Sequence, residues 1–287
     1  MKVTLLGTSS AEGWPALFCG CEACGKARRL GGKNIRTRCS AIVDDRLKID
    51  VPPDILTQVV QNNLDLRCLA AILFTHAHAD HCAPNELQYR GHYFVPKPYA
   101  DRLALYGSKD VVSTIMRCLS PDGSPLNPER FPLRLHSMTA GSTVSVSDYR
   151  VTPILANHDP SQECFNYIIE DDAGATLLYA ADTGWYTPST WEFLKQFKLD
   201  GIVVEATKGL QEDGYAGHLS IPEVIKFRSR LIDCGVFRHD APMVTTHVSH
   251  LSGLMHDEMQ ALLEPHHILA GYDGMVFTVT GDHARKK

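Results

Sequence analysis

Short apolar runs recur along the chain, and several of them stop at a histidine or an aspartate. Runs of this kind, bounded by turn residues, are typical of buried β-strands. They predict strands at 1–8, 40–43, 47–50, 69–74, 103–107, 143–146, 149–155, 164–170, 176–180, 199–204 and 242–246. Helical spacing and capping residues predict helices at 55–63, 108–118, 190–197 and 222–232. Both halves are rich in strands with helices between them, which predicts an α/β layered fold of two packed sheets flanked by helices.

The strand predicted at 69–74 leads directly into Thr75-His76-Ala77-His78-Ala79-Asp80-His81. In an extended backbone, side chains two residues apart project to the same side, so one metal ion can bind both His76 and His78. Asp80 and His81 follow as the chain turns and could reach a second ion beside the first. Imidazole suits zinc and iron, and a carboxylate adds a hard oxygen ligand. The strand context favours a metal site over a solvated, histidine-rich turn.

The same pattern recurs at other strand ends, at His158, Asp182 and His247. A single histidine at a strand end is usually structural. Several unused polar groups would each carry a burial cost, which makes a structural role for all of them hard to sustain. Sites in open α/β sheets are built beyond the carboxyl ends of the strands. The repetition therefore predicts that these side chains converge on one site.

A second cluster of metal-ligand type is Cys19-Gly20-Cys21-Glu22-Ala23-Cys24. Three thiolates this close can share one tetrahedral zinc ion but need a fourth ligand from elsewhere. Cys39 is a candidate on proximity alone. Exposed free thiols are prone to oxidation, which favours the zinc interpretation. The chain has nine cysteines, and their odd number is untypical of a disulfide framework.

Composition and charge argue against a nucleic-acid-binding protein and against a membrane-spanning one. The 287 residues fit one large layered domain spanning 1–287, and the net charge of −5 gives no basic footprint for a nucleic acid. The first residues enter a strand pattern directly, and no apolar stretch approaches the length of a membrane span. We therefore expect a cytoplasmic protein with no membrane partner, for which a nucleic-acid partner is disfavoured.

The pattern His76-x-His78-x-Asp80-His81 after an apolar strand resembles the signature of the metallo-β-lactamase-fold hydrolases. The resemblance implies a four-layer αββα sandwich of two mixed sheets and a site for two divalent ions. By that resemblance, His76, His78 and His158 would hold one ion, Asp80, His81 and His247 the other, and Asp182 would bridge them. Asp50 would orient the loop by hydrogen bonding rather than bind metal. A hydroxide held between the ions would attack the substrate, with Asp80 also contributing to catalysis.

A narrower resemblance joins the chain to the PhnP-type phosphoribosyl 1,2-cyclic phosphate phosphodiesterases. It rests on the motifs Gly7-Thr8-x-x-Ala11-x-Gly13-x-Pro15, Cys19-x-Cys21-x-x-Cys24, Ala27-Arg28-Arg29, Thr246-His247-x-Ser249-His250 and Gly271-Tyr272-Asp273-Gly274-Met275. It implies a small phosphorylated substrate, and a structural zinc ion on Cys19, Cys21, Cys24 and His250 in place of Cys39. His218 is the best candidate for a general acid that protonates the leaving oxygen. Its alternative role is that of a helix-start residue bonded locally.

Other functions stay open at this stage. They are an RNA endonuclease of the tRNase Z type, a lactone or thioester hydrolase of the same fold, and a non-catalytic carrier like PqqB. Residues 82–85 depart from the glycine that related enzymes commonly have there, and 88–140 are expected to include a lid. The ligand set accepts zinc, manganese or iron. A homodimer is expected as the alternative to a monomer.

Overall fold

The computed structural model describes residues 1–95, 101–211 and 213–281, which form fourteen strands and seven α-helices. The strands are β1 (Lys2–Gly7), β2 (Ser40–Val43), β3 (Leu47–Ile49), β4 (Ala71–Leu73), β5 (Leu103–Gly107), β6 (Leu133–Ser137), β7 (Val144–Val146), β8 (Tyr149–Leu155), β9 (Phe165–Asp171), β10 (Thr176–Ala180), β11 (Gly201–Glu205), β12 (Met243–Thr246), β13 (Leu269–Ala270) and β14 (Val276–Thr278). The helices are α1 (Glu22–Leu30), α2 (Ile55–Gln61), α3 (Pro84–Leu87), α4 (Lys109–Leu119), α5 (Pro188–Leu194), α6 (Ile221–Asp233) and α7 (His256–Leu263).

The strands form two seven-stranded mixed sheets, and each sheet has one antiparallel part and one parallel part. The first runs β14-β1-β2-β3-β4-β5-β6, with antiparallel pairs from β14 to β3 and parallel pairs from β3 to β6. The second runs β13-β12-β11-β10-β9-β8-β7, with parallel pairs from β13 to β10 and antiparallel pairs from β10 to β7. The predicted α/β sandwich of two mixed sheets is thereby confirmed.

Alternating side chains along each strand separate the layers. In β4, Leu73 faces the core between the two sheets, whereas Ile72 faces the helices outside the first sheet. In β11, Val203 faces the intersheet core and Val204 packs toward the helices of the second sheet. Side chains two residues apart share a face, so a strand with apolar residues on both faces must be covered on both. The result is four layers: helices, sheet, sheet, helices.

Most helices and strands lie where the sequence pattern predicts them, and their observed ends differ from the predicted ends by a few residues. The helix predicted at 190–197 is α5, which begins earlier, because the Thr187 side chain caps its start and Pro188 fits its first turn. The strand predicted at 69–74 is shorter, and its last residues run toward the site as a loop. α6 carries a full capping box between Ser220 and Glu223. That box fixes the chain direction just after His218.

Residues 101–140, expected to contribute to a lid, include the edge of the first sheet, and 121–130 form an irregular segment with mostly exposed side chains. β5 and β6 pair in parallel there, and α4 packs its Val111, Ile115 and Leu119 against the outer core. The remaining part of the expected lid includes 96–100, which lie outside the described residues. No helix in the described parts of the chain is both long and apolar enough to cross a bilayer.

The topology brings distant strand ends to one edge. β10, β11 and β12 are mutually parallel, and β8 runs in the same direction because it is antiparallel to β9, which is antiparallel to β10. The carboxyl ends of these four strands therefore lie together. The end of β4 joins them through the backbone hydrogen bond from Phe165 to Thr75, 2.8 Å long.

Candidate active site and metal-binding groups

Three histidine nitrogens and one carboxylate form the first group of potential ligands. Nδ1 of His78 lies 2.9 Å from Nε2 of His76 and 3.3 Å from Nε2 of His158. Asp182 Oδ2 lies 3.3 Å from Nε2 of His76. With Zn–N bonds of about 2.0–2.1 Å, a tetrahedral site separates its ligand atoms by roughly 3.4 Å. The spacing of the four side chains fits one metal ion.

A second group shares Asp182 with the first and adds Asp80 and His81, from the loop that carries His76 and His78, together with His247 from the end of β12. Nε2 of His81 lies 3.3 Å from Asp80 Oδ2 and 2.8 Å from Asp182 Oδ2. Nε2 of His247 lies 2.8 Å from the other oxygen of Asp182, Oδ1. The ligand atoms of Asp80, His81, Asp182 and His247 all lie within 4.8 Å of one another. Asp182 thus stands between two four-residue groups.

Unpaired buried atoms test whether these groups suit a cation. Nε2 of His81, Nε2 of His247 and Oδ1 of Asp182 are buried and have no hydrogen-bond partner among the described residues. These atoms lie close to one another but are not aligned for a hydrogen bond. They are instead directed at a common point, where one cation could contact several of them. Leaving such atoms unpaired is costly. A divalent cation in each group would pair them, and the donor set of imidazole and carboxylate is typical of zinc, manganese or iron sites.

The electrostatics of the second group also favour positive charge. Burial alone would lower the pKa of His81 and His247, but the carboxylates of Asp182 and Asp80 outweigh it and raise both pKa values well above the usual range. The pKa of Asp182 is held well below its usual value by these two histidines, against the opposing effect of burial. The carboxylates therefore concentrate negative potential where the histidine nitrogens converge.

Neighbouring side chains fix the orientation of the histidines. Asp50, expected to orient the loop, accepts hydrogen bonds from the amide and hydroxyl of Thr75 at 2.7 and 2.8 Å and lies 2.7 Å from Nδ1 of His81. Asp159 lies 3.0 Å from Nε2 of His78. The hydroxyl of Thr207 donates to the carbonyl of His247 and lies 2.9 Å from its Nδ1. Such contacts select the ring nitrogen that faces a metal ion.

His218 faces the same cleft, and a buried glutamate holds it. Glu205, at the end of β11, is fully buried, and its Oε1 lies 2.7 Å from Nδ1 of His218. Burial alone would lower the pKa of His218, but the Glu205 carboxylate raises it above its usual value. Gly184 allows the loop after Asp182 to approach the loop before His218, since a Cβ there would lie 1.7 Å from the carbonyl oxygen of Ala216.

Sequence reasoning assigned no role to Glu205, Thr207 or Asp159. Glu205 ends a strand as the predicted ligands do, and that signal was available. Thr207 and Asp159 carry no local signal, because their partners come from other segments.

Three residues other than glycine at this edge of the sheets have a left-handed backbone conformation. Asp50, Asp182 and His247 have φ values of 59°, 48° and 52°. Residues other than glycine rarely adopt this left-handed region, and such strain tends to gather at functional sites. All three stand just after a strand, where the backbone must turn sharply to aim the side chain into the cleft.

The cysteine cluster forms a separate potential site with His250. Nδ1 of His250 lies 3.8 Å from Sγ of Cys19 and 3.5 Å from Sγ of Cys21, and the ligand atoms of these residues and Cys24 lie within 4.8 Å of one another. The backbone amide of Cys24, with the His250 ring and Cys19, lowers the pKa of Cys21 to about 6. Burial raises the pKa of Cys24 to about 11, so this thiol would need a bound cation to ionise at neutral pH. Cys39, the candidate on proximity, lies elsewhere, with its sulfur 3.3 Å from the Thr246 hydroxyl.

The two ligand groups that share Asp182 open onto one cleft of about 570 Å³. Its lining includes His78, His158 and Asp182 from the first group and Asp80 and His247 from the second. It also includes residues that belong to neither group: Ser10, Ala11, Glu12, Asp159, Thr207, Tyr215, His218, Ser249, His250 and Leu251. A small substrate placed here would contact both ligand groups and His218 at once.

Known proteins resemble this chain in sequence and in fold. An octanoyltransferase of Porphyromonas gingivalis is 26% identical over 278 residues, which are 96% of this chain and 51% of that protein, so the chain spans about half the length of its relative. A diphosphatase from the PhnP family has a TM-score of 0.73 at 19% identity, covering 98% of this chain and 99% of the other. Zinc-bound PqqB from Methylobacterium extorquens has a TM-score of 0.72 at 18% identity, covering 97% and 100%. At these identities the two solved structures show a shared fold.

A family match settles membership. Residues 45–252, more than half of the chain, match the family described as the beta-lactamase superfamily domain. The match includes His76, His158, Asp182 and His247, which the fold gathers at one edge. The recognition made from the His-x-His-x-Asp-His motif is confirmed: the chain belongs to the beta-lactamase superfamily domain family, with the metallo-β-lactamase fold.

Proposed function

We propose that this protein is a metal-dependent hydrolase that cleaves a small cyclic phosphodiester. One observation carries the proposal. Two four-residue groups share Asp182, and His218, which is hydrogen-bonded to the buried Glu205, lines the same cleft. Hydrolysis of a phosphodiester needs charge neutralisation at the anionic oxygens, a polarised water and a proton for the leaving oxygen. The cleft offers residues for each of these tasks.

The ligand assignment follows the two groups. His76, His78, His158 and Asp182 would hold one ion, and Asp80, His81, Asp182 and His247 the other. Two divalent ions held in this way would lower the pKa of water toward about 7 and clamp the attacking and leaving oxygens. The cysteine group with His250 would hold a structural zinc ion, because four protein ligands close a tetrahedral site.

The protein's own side chains complete the chemistry. Nδ1 of His218 is occupied by Glu205, so its other nitrogen, Nε2, is the one available to give a proton to the leaving oxygen. Glu205 stabilises the protonated imidazole that this step requires. Asp80 lines the cleft with 12% of its side chain exposed, compared with 3% for Asp182. This exposure supports a role for Asp80 in accepting a hydrogen bond from the attacking water.

A substrate panel tests this proposal. Protein loaded with zinc or manganese is assayed with bis-p-nitrophenyl phosphate, a 2′,3′-cyclic nucleotide and a lactone. We expect cleavage of the phosphodiesters, loss of that cleavage in His76→Ala, and no reaction with the lactone. His266→Ala removes an exposed histidine outside the site and serves as the matched control. Inactivity on all three substrates, and on a thioester as well, would favour a non-catalytic carrier.

A second candidate is hydrolysis of an acyl thioester. The observation that favours it is the octanoyltransferase, which aligns with 96% of this chain, although that name describes a protein about twice as long. Octanoyl-pantetheine therefore joins the panel. Turnover of the thioester with inert phosphodiesters would replace the first proposal with this one. An RNA substrate is less favoured, since the net charge is −5 and two acidic side chains outside the ligand groups line the cleft.

A further inference from the structure

Two carboxylates outside the two active-site ligand groups line the cleft, Asp159 beside the first group and Glu12 beside His250 of the cysteine site. Asp159 lies beside His78 and accepts hydrogen bonds from Gln162 and Ser161. Glu12 belongs to the loop after β1 and lies beside Ser249 and His250, just after His247 in the chain. Among the described residues that line the cleft there is no lysine or arginine. Apart from the histidines, the charged side chains of the described lining are therefore all carboxylates.

Glu12 is fixed through one of its two oxygens. Oε1 accepts a hydrogen bond of 2.5 Å from the Ser249 hydroxyl and lies 3.6 Å from Nε2 of His250. The other oxygen, Oε2, has no hydrogen bond or ion pair within the described parts of the chain, and 32% of the side chain is exposed. A carboxylate has about four acceptor positions, so most of those on Glu12 are free to meet a substrate. The anchored oxygen keeps the free one at the edge of the cleft.

We propose that Glu12 is a specificity-determining residue that restricts the substrate to phosphodiesters without a second phosphate. This inference rests on the proposed phosphodiesterase function and narrows it. The reacting diester carries one negative charge, which the metal groups can neutralise. A further phosphate on the same molecule would meet the Glu12 carboxylate, and like charges repel at short range in a partly buried cleft. A hydroxyl at that position would instead donate a hydrogen bond to Oε2.

A carboxylate at this edge of the cleft disfavours the narrower substrate that the motifs of this chain suggested. A phosphoribosyl 1,2-cyclic phosphate carries a phosphate on the sugar besides the cyclic one. Its second phosphate needs a cationic partner, commonly arginine or lysine. The described lining residues offer carboxylates instead. The favoured substrate is thus a cyclic phosphodiester whose remaining substituents are neutral hydrogen-bond donors.

A matched pair of substrates tests the inference on the metal-loaded protein. Adenosine 2′,3′-cyclic phosphate is compared with the same compound carrying a 5′-phosphate, and kcat/KM is measured for each. We expect the wild-type protein to prefer the compound without the 5′-phosphate by about tenfold. In Glu12→Gln the preference should fall by roughly three- to tenfold, mainly through a lower KM for the phosphorylated compound. The amide keeps an oxygen for Ser249, so the loop contact survives.

Control measurements separate specificity from structure. Glu264→Gln removes one exposed negative charge away from the cleft and should leave the preference unchanged. Zinc content and thermal unfolding of Glu12→Gln should match those of the wild-type protein. If both compounds are cleaved and Glu12→Gln leaves their ratio unaltered, the role of Glu12 is overturned and the phosphodiesterase function stands. If neither compound nor bis-p-nitrophenyl phosphate is cleaved, the proposed function itself fails and this inference fails with it.

Discussion

Replacing Glu205 by glutamine should separate the role of His218 from that of the metal groups. Glu205 is fully buried and accepts four hydrogen bonds. Oε1 receives them from His218 and from the amide of Thr183, at 2.7 Å each. Oε2 receives them from the amides of Thr207 and Leu219, at 3.2 and 3.1 Å. An amide side chain offers only one oxygen, so its NH2 group must face two of these donors in either orientation.

The magnitudes follow from that count. Two opposed or unpaired buried donors cost about 1–3 kcal/mol each, so the free energy of unfolding should fall by roughly 2–6 kcal/mol. The hydrogen bond from a protonated His218 to a carboxylate contributes about 1.5–3 kcal/mol. If that stabilisation is needed in the transition state, kcat should fall by about 10- to 150-fold. His218→Ala removes the general acid, so the rate should fall by about 10²- to 10⁴-fold. The Glu205 carboxylate keeps its three amide donors in this variant, so the fold should be less affected.

A double-mutant cycle decides whether Glu205 acts through His218. Rates on bis-p-nitrophenyl phosphate are measured for each single variant and for the double variant, at a temperature where chemical denaturation shows all of them folded. We expect Glu205→Gln to have little further effect once His218 is alanine, because the two residues act as a unit. Metal content should stay unchanged throughout. Multiplicative rate losses in the double variant, or wild-type turnover in Glu205→Gln, would refute the reasoning.

Three further predictions concern other parts of the molecule. Thr207→Val removes the hydroxyl that fixes the His247 ring, so affinity for the second ion should fall by about 10- to 100-fold in a competitive chelator titration; unchanged affinity would contradict this. Cys21→Ser should release about one zinc equivalent and lower the melting temperature before it affects turnover, and a collapse of turnover at intact zinc content would show that the cysteine site is not structural. Burial lowers the pKa of Lys48 from 10.5 to about 7 against the opposing effect of Asp50. Between those values the unfolded chain holds a proton that the folded protein lacks, so the free energy of unfolding should rise with pH by at most about 1.4 kcal/mol per unit. Urea titrations from pH 7 to 10 should show this slope in the wild-type protein, and Lys48→Met should lose it; equal slopes would refute the assignment.

The sequence by itself determined the elements and the type of chemistry. Alternating or continuous apolar runs define strands through contacts between near neighbours, so β2, β8 and β10 lie within a residue of their predicted bounds. The motif from His76 to His81 is equally local, since its spacing alone places several ligands on one turn. Family membership followed from that motif and was confirmed.

Tertiary structure alone decided which groups meet and how they are held. Strand order in the second sheet brings the ends of β8, β10, β11 and β12 together, and nothing local encodes that order. Glu205 reaches His218 across 13 residues and Thr207 reaches His247 across 40. The choice of His250 over Cys39 beside the cysteines, like the place of Glu12 in the cleft, also depends on packing between distant segments. A side chain's partners are set by which backbone segments the core brings within a few ångströms, and that is a property of the whole fold.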